Sequence, residues 1–122
     1  MANRSDFSRA DKVRKAIIRE FSDILTTEVK DPALVNQLIS VTDAEVSGDL
    51  RHVRVFVSVM GNEETQNAVM TVLQEQTPKI RSAIGQRIRL RYTPEIEVHL
   101  DNSLERGSRV TQLLNQISRG EV

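Results

Sequence analysis

A two-layer α+β sandwich, three strands with helices on one face, is the fold class this chain predicts. Three observations carry it. Valines at 53, 55, 57 and 59 alternate with other residues, the period of a strand buried on one side. Apolar residues in 13–24 and 69–88 fall three and four apart instead, the spacing of amphipathic helices. At 122 residues the chain is long enough for one core without disulfide staples. The expected order is helix, strand, strand, helix, bend, helix, strand, helix. Residues 1–8 are read as a flexible N-terminus, 9–119 as a single domain and 120–122 as a flexible C-terminus.

Ser8 and Asp11 form a capping-box pattern that starts the first helix near Arg9. Val13, Ile17, Phe21 and Ile24 make its apolar stripe, and Lys12, Lys15 and Arg19 fall on the opposite face. The helix should stop before Asp31-Pro32, since proline disfavours helical geometry in the residue before it. Residues 38–46 and 50–59 read as a hairpin, with Ser47-Gly48-Asp49 as the turn and Gly48 at positive φ. Gly61-Asn62 ends the second strand. Helical spacing returns with Val69, Val72 and Leu73 and resumes with Ile80, Ile84 and Ile88. Pro78 between these sets predicts two helices meeting at a bend, with Thr77 as N-cap of the second. Gly85 in that second helix weakens propensity but permits close backbone approach. Residues 90–100 read as a third strand, with Pro94 at an edge or a bulge. A polar turn at Asp101 and a helix capped by Ser103, carrying Val110, Leu113, Leu114 and Ile117, complete the chain.

Charge is balanced overall, 17 basic against 17 acidic residues, but unevenly placed. The run TPKIRSAIGQRIRLR (77–91) holds Lys79, Arg81, Arg87, Arg89 and Arg91 and no acid. Such a run calls for an anionic partner or a solvated surface. Cysteine is absent, which excludes disulfides and thiol chemistry and suits a reducing compartment. No apolar run reaches the ~18 residues of a membrane span. The polar, charged N-terminus is unlike a secretory signal, so a cytoplasmic location is expected. Four aromatics, Phe7, Phe21, Phe56 and Tyr92, are few for an RNA-binding sheet of stacked rings.

Four stretches together resemble the ribosome-binding factor A family: EVKDPAL (28–34), VTDAEVSGDL (41–50) running into VRVFVS (53–58), IRSAIGQRIRLR (80–91) followed by TPEI (93–96), and DNSLERG (101–107) with Leu113 and Leu114. The resemblance spans roughly 9–117. It implies a type II KH-like fold and binding to the immature 30S ribosomal subunit and its 16S rRNA. Late maturation, rRNA processing and growth in the cold are the implied roles. It implies a monomer with no membrane partner, no small-molecule substrate and no cofactor. Family members bend between two helices at an Ala-x-Gly sequence, and the matching positions here are Gln76, Thr77 and Pro78.

Two basic surfaces are therefore candidates for phosphate contact: Lys12, Lys15 and Arg19 on the first helix, and Lys79, Arg81, Arg87, Arg89 and Arg91 on the later run. Thr77-Pro78 would add the N–H groups of a helix start. Charge reversal at Arg87 and Arg89 should then weaken subunit association more than Lys15→Glu. Arg54 is better used in cross-strand ion pairs with Glu95 and Glu97. His99, Asp101 and Ser103 lie close in sequence, but i, i+2, i+4 spacing at a strand end does not build a nucleophile, base and oxyanion site. His52 and His99 could meet across the sheet, yet two histidines make no zinc site. No glycine-rich phosphate loop is present. The chain reads as no enzyme and holds no catalytic residue and no metal ligand. The alternative to an RNA-binding assembly factor is a protein-interaction module without RNA contact.

Overall fold

Helix α1, Arg4–Thr27, opens the computed structural model, which describes residues 4–34 and 37–101. The helix begins well before Arg9, so Ser8 and Asp11 are interior positions and not a cap. Asp11 serves as an in-helix partner instead, taking Arg14 and Lys15 each at 3.2 Å. Val13, Ile17, Phe21 and Ile24 are buried, as their spacing requires. The helix closes where expected, before Pro32: the Glu28 and Val29 amides both donate to the Ile24 carbonyl, and Asp31 accepts the Ala33 N–H at 2.9 Å.

Strands β1, Ile39–Val46, and β2, His52–Val59, pair antiparallel from Ile39 opposite Val59 to Val46 opposite Val53. The register shifts between Val41 and Asp43, so Thr42 is an extra residue. This bulge lets Val41 and Ala44, three apart, both face the core cluster. The turn differs from expectation. Gly48 is not at positive φ; Leu50 is, at 62°. Asp49 organises the corner, accepting the Ser47 hydroxyl at 2.7 Å and the Arg51 N–H at 3.0 Å, while the Leu50 amide returns to the Ser47 carbonyl. The left-handed step thus falls on the residue that closes the turn, and β2 starts at His52 rather than at Leu50.

Helix α2, Glu63–Arg87, is capped by Asn62, whose side chain accepts the Thr65 N–H at 2.8 Å. Gly61 needs its freedom here, with φ 133° and Thr65 filling the space a Cβ would take. The expected pair of helices is one continuous helix with Pro78 inside it. Thr77 is no N-cap: its hydroxyl donates back to the Leu73 carbonyl at 2.8 Å. Buried Leu73 before the proline and Ile80, Ala83 and Ile84 after it anchor both halves to the same core, which holds the helix through a residue that disfavours it.

Strand β3, Glu95–Leu100, lies parallel to β2, from His52 opposite Glu95 to Val57 opposite Leu100. The sheet order is β1-β2-β3, so α2 is the crossover between two parallel neighbours. Residues 90–94 are not strand. Pro94 stands buried just before an edge strand, and the segment ahead of it is pulled onto α2 by contacts described below. Ile96 and Val98 join Val53, Val55 and Val57 of β2 and the buried stripes of both helices in one core. The expected C-terminal helix, with Ser103, Val110, Leu113, Leu114 and Ile117, lies outside the described residues. None of the described helices is long and apolar enough to cross a membrane.

Candidate nucleic-acid interface

The basic run divides into cations that hold the fold and cations that face solvent. Arg87 ends α2 and meets three carboxylates of α1 and its exit: Glu20 at 3.1 Å, Glu28 at 3.0 Å, and Asp23. Its guanidinium is held well above the usual arginine range, chiefly by the Asp23 hydrogen bond and then by Glu20. Arg81 spans two carbonyls, donating from Nε to Pro94 at 2.9 Å and from Nη2 to Thr93 at 3.0 Å. Its third contact is Glu95, at 3.4 Å. Arg81 therefore fastens the segment 88–94 to α2. Gly85 assists, because a Cβ there would sit 2.7 Å from the Thr93 hydroxyl. The close approach at Gly85 is thus made by the Thr93 side chain and not, as expected, by backbone.

Once fastened, the segment turns Arg89, Arg91 and Tyr92 toward the hairpin corner. The Glu95 N–H bonds the Arg51 carbonyl at 2.8 Å and ties the two loops together. A cleft of about 320 Å³ opens there, lined by Arg9 of α1, Asp49, Leu50 and Arg51 of the corner, and residues 89–92. Four of its eight lining residues are arginines and one is acidic. Asp49 is already engaged by Ser47 and the Arg51 amide, which hold its carboxyl below the usual range. Tyr92 is half exposed, with the Arg51 guanidinium 4.7 Å and the Arg91 guanidinium 5.5 Å from its ring centre. The cleft suits a phosphate-bearing ligand.

Arg9, Arg51 and Tyr92 were not among the residues the sequence singled out. They are 80 and more positions apart at the extremes, and only the parallel β2–β3 pairing brings the corner beside the loop. The first-helix cations are less available. Lys15 pairs with Asp11 at 3.2 Å and Arg19 with Glu20 at 3.3 Å. Lys12 and Lys79 are exposed and make no ion pair among the described residues. Gln76, Thr77 and Pro78 sit in the middle of α2, where no helix start is available to bind an anion.

The remaining expectations concern the open face of the sheet. Arg54 pairs with Glu97 at 3.5 Å as expected, but its second partner is Glu45, at 3.9 Å, and Glu95 goes to Arg81. His99 stands opposite Phe56, not His52, with ring centres 5.8 Å apart. Asp101 belongs to the sheet end: its amide donates to Val57 and its carboxylate accepts the Thr42 hydroxyl. Ser103 lies outside the described residues. Among the described residues no cluster of His, Cys, Asp or Glu could hold a metal ion.

Comparison with known proteins agrees with this architecture. The family model of ribosome-binding factor A matches residues 9–114. Ribosome-binding factor A of Gloeobacter violaceus is 49% identical over 114 residues, covering 93% of this chain and 88% of that protein. Its counterpart in Acetivibrio thermocellus is 47% identical over 110 residues, 90% of this chain and 89% of that one. Two structures share the KH-like fold. A crystal structure of ribosome-binding factor A from Thermus thermophilus superposes with a TM-score of 0.61 at 24% identity, over 75% of this chain and 94% of that one. A homology model of the Thermus thermophilus factor, fitted into a cryo-EM map of a 30S complex, gives 0.60 at 21% identity, over 73% and 91%. By sequence and by fold alike, the chain belongs to the ribosome-binding factor A family.

Proposed function

We propose that this protein binds the immature 30S subunit and contacts its 16S rRNA through the arginine-lined cleft, supporting late maturation and rRNA processing. The observation that carries this reading is the cleft itself: Arg9, Arg51, Arg89 and Arg91 converge on one opening, while Arg81 and Arg87 of the basic run are spent inside the fold. Family membership supplies the ribosomal target, and the fitting of a relative into a 30S complex map agrees with it. The role is non-catalytic. The protein acts in the cytoplasm as a monomer without a cofactor, and its contribution is greatest in the cold. Phosphate contact through arginine positions the protein and carries little sequence information.

Co-sedimentation with immature 30S subunits tests the site. Arg89→Glu with Arg91→Glu should abolish most association, and Lys12→Glu with Lys15→Glu should cost far less. Equal losses, or binding that ignores salt, would remove the cleft from the interface. Cells carrying the Arg89/Arg91 double reversal should accumulate unprocessed 16S precursor, most at low temperature. Normal processing in such cells would count against the maturation role. The alternative, a protein-interaction module, has its own observation: an apolar groove of about 640 Å³ between α1 and β1, lined in part by Leu25, Val29, Leu34 and Leu38. Subunit association that survives the arginine reversals and fails on Leu38→Asp would favour it.

A further inference from the structure

We infer that the cleft takes a single-stranded, unstacked nucleotide, whose base lies on Tyr92 and whose phosphates meet the surrounding arginines. This deepens the reading of the cleft as the rRNA contact and rests on it. Three features point to a base as well as a phosphate. Tyr92, at 51%, is one of three large apolar or aromatic side chains exposed among the described residues, and it stands inside the cationic opening. The opening, about 320 Å³, is at the small end of the range of ligand pockets, the scale of a small ligand group. Finally, the walls are fixed. Asp49 holds the Arg51 backbone, Leu50 is locked at φ 62°, and Arg81 pins the loop that carries Arg91 and Tyr92. Backbone held in a sparsely populated conformation beside a ligand-sized opening marks a prearranged site.

The two guanidiniums over the tyrosine ring act as placeholders. A base that stacks on the ring displaces one of them, and the released arginine is then within reach of the phosphate of the same nucleotide. One cation–π contact is exchanged for a base stack and a charge-assisted phosphate contact. An A-form duplex keeps its bases stacked and its ring faces hidden, so it can offer the arginines phosphate but leaves Tyr92 bare.

Tyr92 is the sole tyrosine, and the chain has no tryptophan, so tyrosine fluorescence reports on this site alone. The full chain should be titrated with a short single-stranded oligouridylate, with an abasic strand of the same length, and with a blunt RNA duplex, correcting for absorbance. The oligouridylate should quench the tyrosine signal and the other two should not. By anisotropy, Tyr92→Ala should weaken oligouridylate binding about tenfold, the order seen when a stacking aromatic is removed. Tyr92→Phe should restore it, and duplex binding should be unaltered by either. Circular dichroism on the exposed-site variants confirms that the fold is intact. Duplex binding as tight as single-strand binding, equal quenching by the abasic strand, or an unaffected Tyr92→Ala would overturn the inference. If Arg89→Glu with Arg91→Glu still abolishes 30S association in that case, the cleft remains the rRNA site and only the base contact fails. Loss of both would point to a protein partner instead.

Discussion

Replacing Arg87 by glutamate should lower the melting temperature, because its guanidinium joins the end of α2 to Glu20, Asp23 and Glu28 on the α1 side. The side chain is only 26% exposed, and reversal would place a fourth carboxylate among three. Arg89→Glu, two residues on and without such partners among the described residues, should leave the melting temperature unchanged. Thermal unfolding at low and at high salt checks both, the Arg87 effect shrinking as salt screens the cluster. A second single-residue test is Asp49→Asn. The Asp49 carboxyl is depressed below its ordinary 3.8, first by the Ser47 hydroxyl and then by the Arg51 amide. A depressed carboxyl stabilises the fold above its unfolded pKa, and the contribution is lost as pH falls through the folded value. The variant should therefore be less stable than the parent at neutral pH, with the gap closing below about 3.8 in acid-unfolding curves. At this scale the sequence was a poor guide. The cationic run was legible, but the carboxylates that occupy Arg87 lie 59 to 67 positions away, so its use could not be read from spacing.

Among the elements, α2 and the loop after it hold the most informative tests. Pro78 leaves the Gln74 carbonyl without an i+4 donor, yet the helix continues because Leu73, Ile80 and Ile84 are all buried in one core. Pro78→Ala restores that donor and should stabilise the protein by roughly 1–3 kcal/mol in urea unfolding, the upper end being the interior propensity difference. A loss of stability would mean the core depends on the proline. Gly85→Ala works in the opposite direction. Alanine gains about 1 kcal/mol of helix propensity but collides with Thr93, an overpacking cost of about 1–3 kcal/mol. A net loss near 1 kcal/mol is expected, and adding Thr93→Ala should reverse it. β2 was legible because four valines leave no other period. The beginning of β3 was not. Leu90 and Tyr92 share the phase of Ile96 and Val98, and nothing local reveals that Arg81 has claimed the Thr93 and Pro94 carbonyls. The single α2 was misread for a related reason: local rules favour a break at proline, and burial on both sides of it overrides them.

The molecule as a whole is neutral, so the proposed RNA contact rests on where its charge sits and not on how much it carries. Arg9, Arg51, Arg89 and Arg91 gather at one end, while the acids that neutralise Arg87 lie around the α1–α2 contact. Three or four phosphates engaged by the cleft predict a slope of roughly −2 to −3 in log affinity against log salt for a single strand. Isotherms over a salt series measure it, and a slope near zero would exclude phosphate contact. The sandwich, its three strands and the common face of its two described helices were readable from periodicity alone. The cleft was not, since it is made where three distant segments meet, and its aromatic wall looked like one stray ring.

The parallel pairing of β2 with β3 also favours one order of assembly. β1 and β2 can close through a short turn, whereas β3 reaches β2 only across the long connection that holds the 25-residue α2, a closure that costs more chain entropy. The loop bearing Arg89 to Tyr92 is held both by Arg81 and by the Glu95 amide on the Arg51 carbonyl, the second a contact that needs β3 beside β2. In pulse-labelled refolding, the amides of Glu95 and Asp101 should gain protection after those of the β1–β2 hairpin; earlier protection would contradict the order. During synthesis, a partly made chain would carry Arg9 and Arg51 without the other half of their cleft. On the proposed reading, a copy still emerging from one ribosome could not yet engage the RNA of another.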